Sequence, residues 1–397
     1  MAVITQPRTL ENLQEIYEKC AQRAPQYDRE NKFFHEDFED LREAGYLLMP
    51  VPEELGGFGM SLAEVAQKQR ELAYYAAPTA LGVNMHLYWI GSAADNWRRG
   101  DTSVEWLLRE AAAGKVFAAG HAESGNDLPV VWSTTKAEKV EGGYKFTGRK
   151  SFGSLSPVWS YLGIHALDDS DPENPKIVHA FMPRESSGYE IKQTWDNVLG
   201  MRATRSDDTI LNGVFVPDQY ILRVVPAGFK GMDGYIAGLF FWFLTGISNV
   251  YYSLSRRVFD LTVEKIKTKS SIALTKKSMV HHAGVQMDIG ELFMELEGVE
   301  AQLNFIANQY SSGVDYGPAW PLKFIAMKGR VMEANWKIVD KALDISGGFG
   351  IFPSSGLERL IRDARLGRIH PTNSYLSKEL LGKANLGVDF DTQPRWG

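Results

Sequence analysis

The hydrophobic pattern of this chain changes period twice, near Lys115 and near Gly228. From residue 9 to 113, apolar residues recur every three or four positions, as in "FFHEDFEDLREAGYLLMPV". That is the spacing of one helix face. Between about 116 and 225 the pattern becomes that of strands. "KAEKV" and "YKFTGRKSF" read as a hairpin turned at Gly142 and Gly143, and "YLGIHAL", "KIVHAFMP" and "DDTILNGVFVP" as further strands. Beyond Gly228 four periodic segments return, the last being "SSGLERLIRDARLG". Four such helices predict an antiparallel bundle. With 397 residues, the chain exceeds one ordinary core. The expected fold is therefore α+β and multidomain. It has an N-terminal α-helical domain (1–115), a central β-barrel-like domain (116–227) and a C-terminal four-helix bundle (228–397).

Local signals sharpen this plan. Gly56, Gly57 and Gly59 form a loop, after which Ser61 caps a helix and Glu64 completes a capping box. The run "YIAGLFFWFLTGISNVYY" (235–252) has 18 residues, the lower limit for a membrane span. Gly238, Thr245, Ser248 and Asn249 interrupt it and "SRRVFD" follows at once. It reads as a buried helix whose aromatic rings can line an apolar ligand pocket.

Composition excludes several classes. Apolar residues make up 44% and charged ones 23%, values of a globular chain and not of a disordered one. The net charge is −6 and no basic face dominates, which argues against nucleic acid as a partner. A single cysteine, Cys20, cannot form an intrachain disulfide and fits a reducing compartment. The N-terminal stretch lacks a signal-peptide pattern. The expectation is a cytoplasmic protein without a membrane partner. His281 and His282 have no cysteine or carboxylate at metal-ligand spacing, so no metal is predicted.

Five stretches, in order, resemble the acyl-CoA dehydrogenase family over nearly the whole chain. They are "LREAGYLLMPVPEELGGFGMSLAE", "GHAESGNDLP", "GGYKFTGRKSFGSLSP", "LGMRATRSDDTILNGVFVP" and "ALDISGGFGIFPSSGLERLIRDAR". The resemblance implies a flavoprotein with FAD, or FMN, between the β domain and the bundle. It also implies a homotetramer or homodimer, because part of each cofactor site comes from a second chain.

A flavin needs donors for its phosphates, a flat apolar bed, and directed hydrogen bonds at its ring edge. In "GHAESGNDLP", Gly120 and Gly125 allow close backbone approach, Ser124 and Asn126 add donors, and His121 can face flavin or substrate. Here Gly120-His121-Ala122 replaces the Thr-Glu-Pro with which the family commonly opens this loop. By the resemblance, Phe152 packs on the ring and Ser154 donates to flavin N5. Gly347, Gly348 and Gly350 in "ISGGFG" leave room for a cofactor phosphate or adenine, although a helix C-terminal turn explains the same glycines. The family's pyrophosphate-binding arginine is replaced by the region "EKIKTKSS", where Lys267 or Lys269 can supply charge. Arg202 and Arg205 with Asp207 and Asp208 read as strand-end ion pairs.

The family's catalytic base is missing. The glutamate that usually follows the last motif falls on Pro371, and the alternative position on the first bundle helix lies in "AGLFFWFLTG", which has no acid. Either His370 is the base or no carboxylate is needed. Flavin monooxygenases of the same fold lack that glutamate and use Ser or His beside a flavin hydroperoxide, roles open to Ser154 and His370. The first expectation is thus an FAD-dependent oxidoreductase of acyl-CoA dehydrogenase type, acting on an acyl thioester or similar activated acid. The second is a two-component flavin monooxygenase acting on an apolar compound, with a flavin reductase or electron-transfer partner. The third is a flavin-binding protein without catalysis.

Overall fold

The computed structural model describes residue 10 and residues 12–392. Two helices, α1 (Leu13–Glu30) and α2 (His35–Glu43), open the chain. Ser61 caps α3 (Leu62–Arg98): its hydroxyl accepts from Glu64 N, and the Glu64 carboxylate accepts from Ser61 N, so the capping box forms. α3 breaks at Ala76, with φ −147°. Pro78 follows two residues later, and its ring lacks an N–H and crowds the preceding turn. Beyond the break, residues 76 to 94 of α3 are buried, as befits a helix enclosed on all sides. α4 (Glu105–Ala112) leads into the sheet.

Eight strands follow: β1 (Phe117–Gly120), β2 (Lys136–Val140), β3 (Gly143–Gly153), β4 (Tyr161–Asp168), β5 (Lys176–Pro183), β6 (Tyr189–Lys192), β7 (Asp207–Pro217) and β8 (Ile221–Pro226). Their order is β6-β7-β3-β2-β4-β5-β8, with β1 parallel to β4. β2 and β3 form the expected hairpin, with Gly142 at φ 75° in its turn.

The barrel-like closure expected from the sequence does not occur: the sheet is open, with β6 and β8 at its two ends. The physical reason is that α3 covers its apolar side. Trp89 Nε1 donates to Ala118 O at 3.1 Å, and a Cβ on Gly163 would lie 2.1 Å from the Trp89 ring. The sheet buries its face against a helix and has no need to curl onto itself.

The C-terminal part holds α5 (Gly234–Thr268), α6 (Ala283–Ser311), α7 (Trp320–Ser346), α8 (Leu357–Arg365) and α9 (Ser374–Leu386). Asp233 caps α5 through Ile236 N at 2.8 Å. The 235–252 run is the first half of α5 and is largely buried. Among the described residues no helix is long and apolar enough to cross a membrane. α3 packs along α5 through glycines. A Cβ on Gly91 would lie 2.2 Å from the Trp242 ring, and one on Gly246 would lie 1.9 Å from Asn84 Oδ1. Backbones that close require the missing side chains.

Candidate active site

A cavity of about 450 Å³ lies between the sheet and helices α3 and α5. Its wall is mainly apolar, with Met85, Leu239 and Phe243 on the helix side and Phe152 and Trp195 on the sheet side. Such a volume and lining suit a ligand held by a few polar groups. His121, Asn126, Phe152, Ser154 and His370, five of the residues singled out from sequence, reach this one cavity.

The loop after β1 is organised by Glu123, which is buried. Its carboxylate accepts from Lys150 Nζ at 2.6 Å, Ser133 Oγ at 2.7 Å, Thr135 Oγ1 at 2.6 Å and the backbone N–H of Thr134 and Thr135. Burial alone would raise its pKa, but Lys150 and the donors outweigh it and hold Glu123 at about 2. Asn126 turns inward, donating to Glu123 at 2.9 Å and to the Trp132 carbonyl at 2.6 Å. Ser124 and Gly125 are exposed, with Gly125 at φ 79°. Gly120 is buried within β1, opposite Ile164.

Phe152 stands at φ 57°, where the β3–β7 ladder shifts register. A bulky residue in that left-handed region is strained and is held there by its surroundings. Its ring is 58% exposed and meets Trp195 edge-on at 5.9 Å. Next to it runs a chain of hydroxyls. Thr204 donates to Met201 O at 2.8 Å, and the contacts Thr204–Ser206 and Ser206–Ser154 are each 2.7 Å. One proton per hydroxyl fixes the order: Ser206 donates to Thr204 and Ser154 donates to Ser206. Ser154 therefore turns lone pairs to the cavity. Donation from Ser154 to flavin N5, as expected from sequence, asks for the proton that this chain sends to Ser206.

His370 closes the opposite wall. Its Nε2 lies 2.9 Å from the Tyr251 hydroxyl. Burial raises the Tyr251 pKa far above that of a free phenol, so the phenol keeps its proton and can donate it to Nε2. Burial and the nearby Lys328 cation hold His370 down at about 3. The ring is neutral at pH 7 and carries one N–H; with Tyr251 as the donor, that N–H is on Nδ1.

Other predicted residues lie elsewhere. Gly347, Gly348 and Gly350 form a tight turn after α7 and do not line the cavity of their own chain. Lys267 is exposed at the end of α5, while Lys269 Nζ donates to Ser346 O at 3.1 Å beside the glycine turn. Arg205 pairs with Asp196 and Asp207, and Arg149 pairs with Asp208. Arg202 instead donates to the Val198 carbonyl at 2.8 Å.

Sequence reasoning missed the Glu123–Lys150 pair, although both residues sat inside quoted motifs. It also missed the clamp on the 195–201 wall. Arg362 binds Asp28 and the Leu199 carbonyl, and buried Asp363 accepts from Met201 N. Ion pairs far apart in sequence leave no periodic trace; acids and bases inside an apolar stretch were the available signal.

Comparison with known proteins identifies the fold. The model for the acyl-CoA dehydrogenase N-terminal domain matches residues 9–97, and that for the C-terminal domain matches 245–371. A putative acyl-CoA dehydrogenase, YdbM of Bacillus subtilis, is 28% identical over 371 residues, covering 92% of this chain and 93% of that one. A dibenzothiophene monooxygenase of Mycolicibacterium goodii is 25% identical over 364 residues, covering 87% and 86%. Among solved structures, KijD3 in complex with FMN and a dTDP-linked amino sugar superposes with a TM-score of 0.84 at 23% identity, covering 99% of this chain and 97% of that one. The chain belongs to the acyl-CoA dehydrogenase family, and its relatives are flavin-dependent oxidoreductases.

Proposed function

We propose that this protein is a flavin-dependent monooxygenase acting on an apolar small molecule, with reduced FMN or FAD delivered by a separate reductase. The observation that carries this reading is the pairing of a neutral imidazole, His370, with a lone-pair-bearing hydroxyl, Ser154, on the wall of one cavity. The carboxylates at that wall are Glu123, committed to Lys150, and Asp127, which is exposed. Removal of a proton beside a thioester needs a base of adequate strength, and an imidazole held near 3 is a poor one. As an N–H donor the same neutral ring is well suited.

The residues present fit a flavin. Phe152 offers an exposed apolar ring with Trp195 edge-on beside it, and Ser154 would accept from an N–H on the ring edge, as a reduced flavin presents. The loop at Ser124 and Gly125 offers exposed backbone for phosphate. In a homodimer or homotetramer, the glycine turn at 347–350 and Lys267 of a second chain would complete the site. Bound flavin supplies two electrons and activates dioxygen. His370 would hold a proton at the wall with Tyr251 fixing its ring, and the apolar helix side would exclude water from the substrate.

The test uses purified protein with FMN or FAD, NADH, a general flavin reductase and labelled dioxygen, offered fused-ring heteroaromatics such as dibenzothiophene and indole. Label in a product that is lost in His370→Ala supports the reading. Anaerobic bleaching of bound FAD by acyl-CoA, with no oxygen transfer, would make the protein a dehydrogenase instead.

A further inference from the structure

Three neighbouring strands each bring a histidine to one level of the sheet. His165 on β4 faces His179 on β5 directly, and His179 faces Arg223 on β8. His121 follows Gly120, whose partner across β1–β4 is Ile164, the residue before His165. The ring centroids of His121 and His165 are 5.2 Å apart, and those of His165 and His179 are 6.1 Å apart. A row of imidazoles thus crosses the sheet.

One end of the row is the cavity. His121 lines it, with Nδ1 3.4 Å from the hydroxyl of Tyr88, which also lines it. The other end is an ion cluster in which Arg223 holds Asp101 and Asp233, whose side chains are 31% and 35% exposed.

Within the row, ring nitrogens lack protein partners. They are Nε2 of His121, Nδ1 of His165, and both nitrogens of His179. His165 Nε2 meets the Trp132 carbonyl at 2.9 Å and the Val130 N–H at 3.3 Å, so either tautomer engages Nε2 and leaves Nδ1 without a protein partner. His165 and His179 are 0% and 3% exposed. Buried polar atoms are nearly always hydrogen-bonded, and where protein does not serve, ordered water does. A metal is not the alternative: among the described residues no three metal-ligating side chains converge.

We propose that this row is a water-bridged proton path joining the flavin cavity to the surface at Arg223. The groups around it favour passage over storage. Lys150, paired with Glu123, donates to the His165 carbonyl and, with burial, keeps His165 neutral. Burial likewise holds His179 at about 3 and His121 well below its usual value. A neutral ring has one N–H and one lone pair, so it can accept a proton on one nitrogen and release one from the other. A cavity filled by flavin and apolar substrate shuts out bulk water, yet its chemistry consumes protons. Oxidation of anionic reduced flavin by dioxygen would release two electrons and the N5 proton from the flavin and take one further proton from solvent, giving hydrogen peroxide.

What the protons serve rests on the proposed function; the row itself does not. The first experiment therefore uses protein without flavin: a crystal structure at a resolution that shows water. Ordered water bonded to His165 Nδ1 and to His179 is expected, and a dry row overturns the path. The second mixes protein carrying pre-reduced flavin with oxygenated, weakly buffered solution and follows proton uptake with an indicator dye. His179→Leu, remote from the cavity, is expected to slow uptake by about tenfold or more with flavin affinity unchanged. Wild-type uptake in both His179→Leu and His165→Leu overturns the path. Should the leucine variants misfold, His179→Asn provides the same comparison. Protein that takes up no flavin refutes the proposed function, and the water experiment still decides the path.

Discussion

The side-chain ammonium of Lys328 donates to the carbonyl oxygen of His370 at 2.9 Å, and to that of Thr372 as well. Lys328 sits on α7 and is 1% exposed, so an inner helix holds the turn that presents His370. Lys328→Met would leave the His370 carbonyl without a donor and the Thr372 carbonyl with the Ser377 hydroxyl alone, at 3.1 Å, which costs about 1–3 kcal/mol. Burial lowers the Lys328 pKa to about 7, with Glu333 opposing. Between there and the unfolded value of about 10.4, the native state binds fewer protons than the unfolded one, so this group makes stability rise with pH. Urea titrations at pH 7 and pH 9.5 should show that rise in the parent protein and a smaller one in Lys328→Met.

Ser154 faces the cavity with lone pairs because its proton goes to Ser206. Ser154→Ala should weaken reduced flavin by about tenfold, the worth of one hydrogen bond. Oxidised flavin, which lacks the matching N–H, should bind nearly as before. Anaerobic and aerobic fluorescence titrations compare the two; equal losses would show that the hydroxyl donates instead.

The Glu123–Lys150 pair is shut away from solvent, at 0% and 1% side-chain exposure. Lys150→Met alone strands a buried carboxylate and should destabilise the protein by about 3–5 kcal/mol. The double variant Glu123→Leu, Lys150→Met removes both charges and should regain part of that loss. Thermal unfolding of the set checks the order.

Acid should unfold this protein early. Burial lowers His86 to about 4 and both His179 and His370 to about 3. The unfolded chain takes up these protons below about 6.5 while the native state refuses them. Stability is therefore complete above that pH and is lost as pH falls toward 4, by up to about 1.4 kcal/mol per unit for each ring. Tm measured from pH 7.5 to 4.5 should drop steeply, and less so in His179→Leu.

The long elements were legible because period alone specifies them: α3, α5, α6 and α7, and the β2–β3 hairpin with Gly142 at its turn. Strands β1 and β6 were not, being only four residues long, nor was β8, which buries none of its six residues fully and so shows no apolar alternation. β1 is "FAAG", too short and too uniformly apolar to show alternation. The open sheet was illegible for another reason, since closure depends on whether a helix covers the face. In the site, Phe152, Ser154 and His370 were read from motif spacing. The direction of the Ser154 hydrogen bond and the row of His121, His165 and His179 depend on register between strands, which no linear pattern records.

Past its break at Ala76, α3 presents two adjacent stripes with different duties. Leu81, Met85 and Tyr88 look into the cavity, while Asn84 and Gly91 meet α5. A helix that divides its work this way lets molecular selectivity drift without loosening the scaffold. Exchanges at 81 and 85 redraw the shape admitted, whereas Tyr88, which meets Phe243 of α5 edge-on at 5.5 Å, would pass a change on to the glycine seam beside it. Diversification of this chain toward new compounds has its least obstructed route along that one strip.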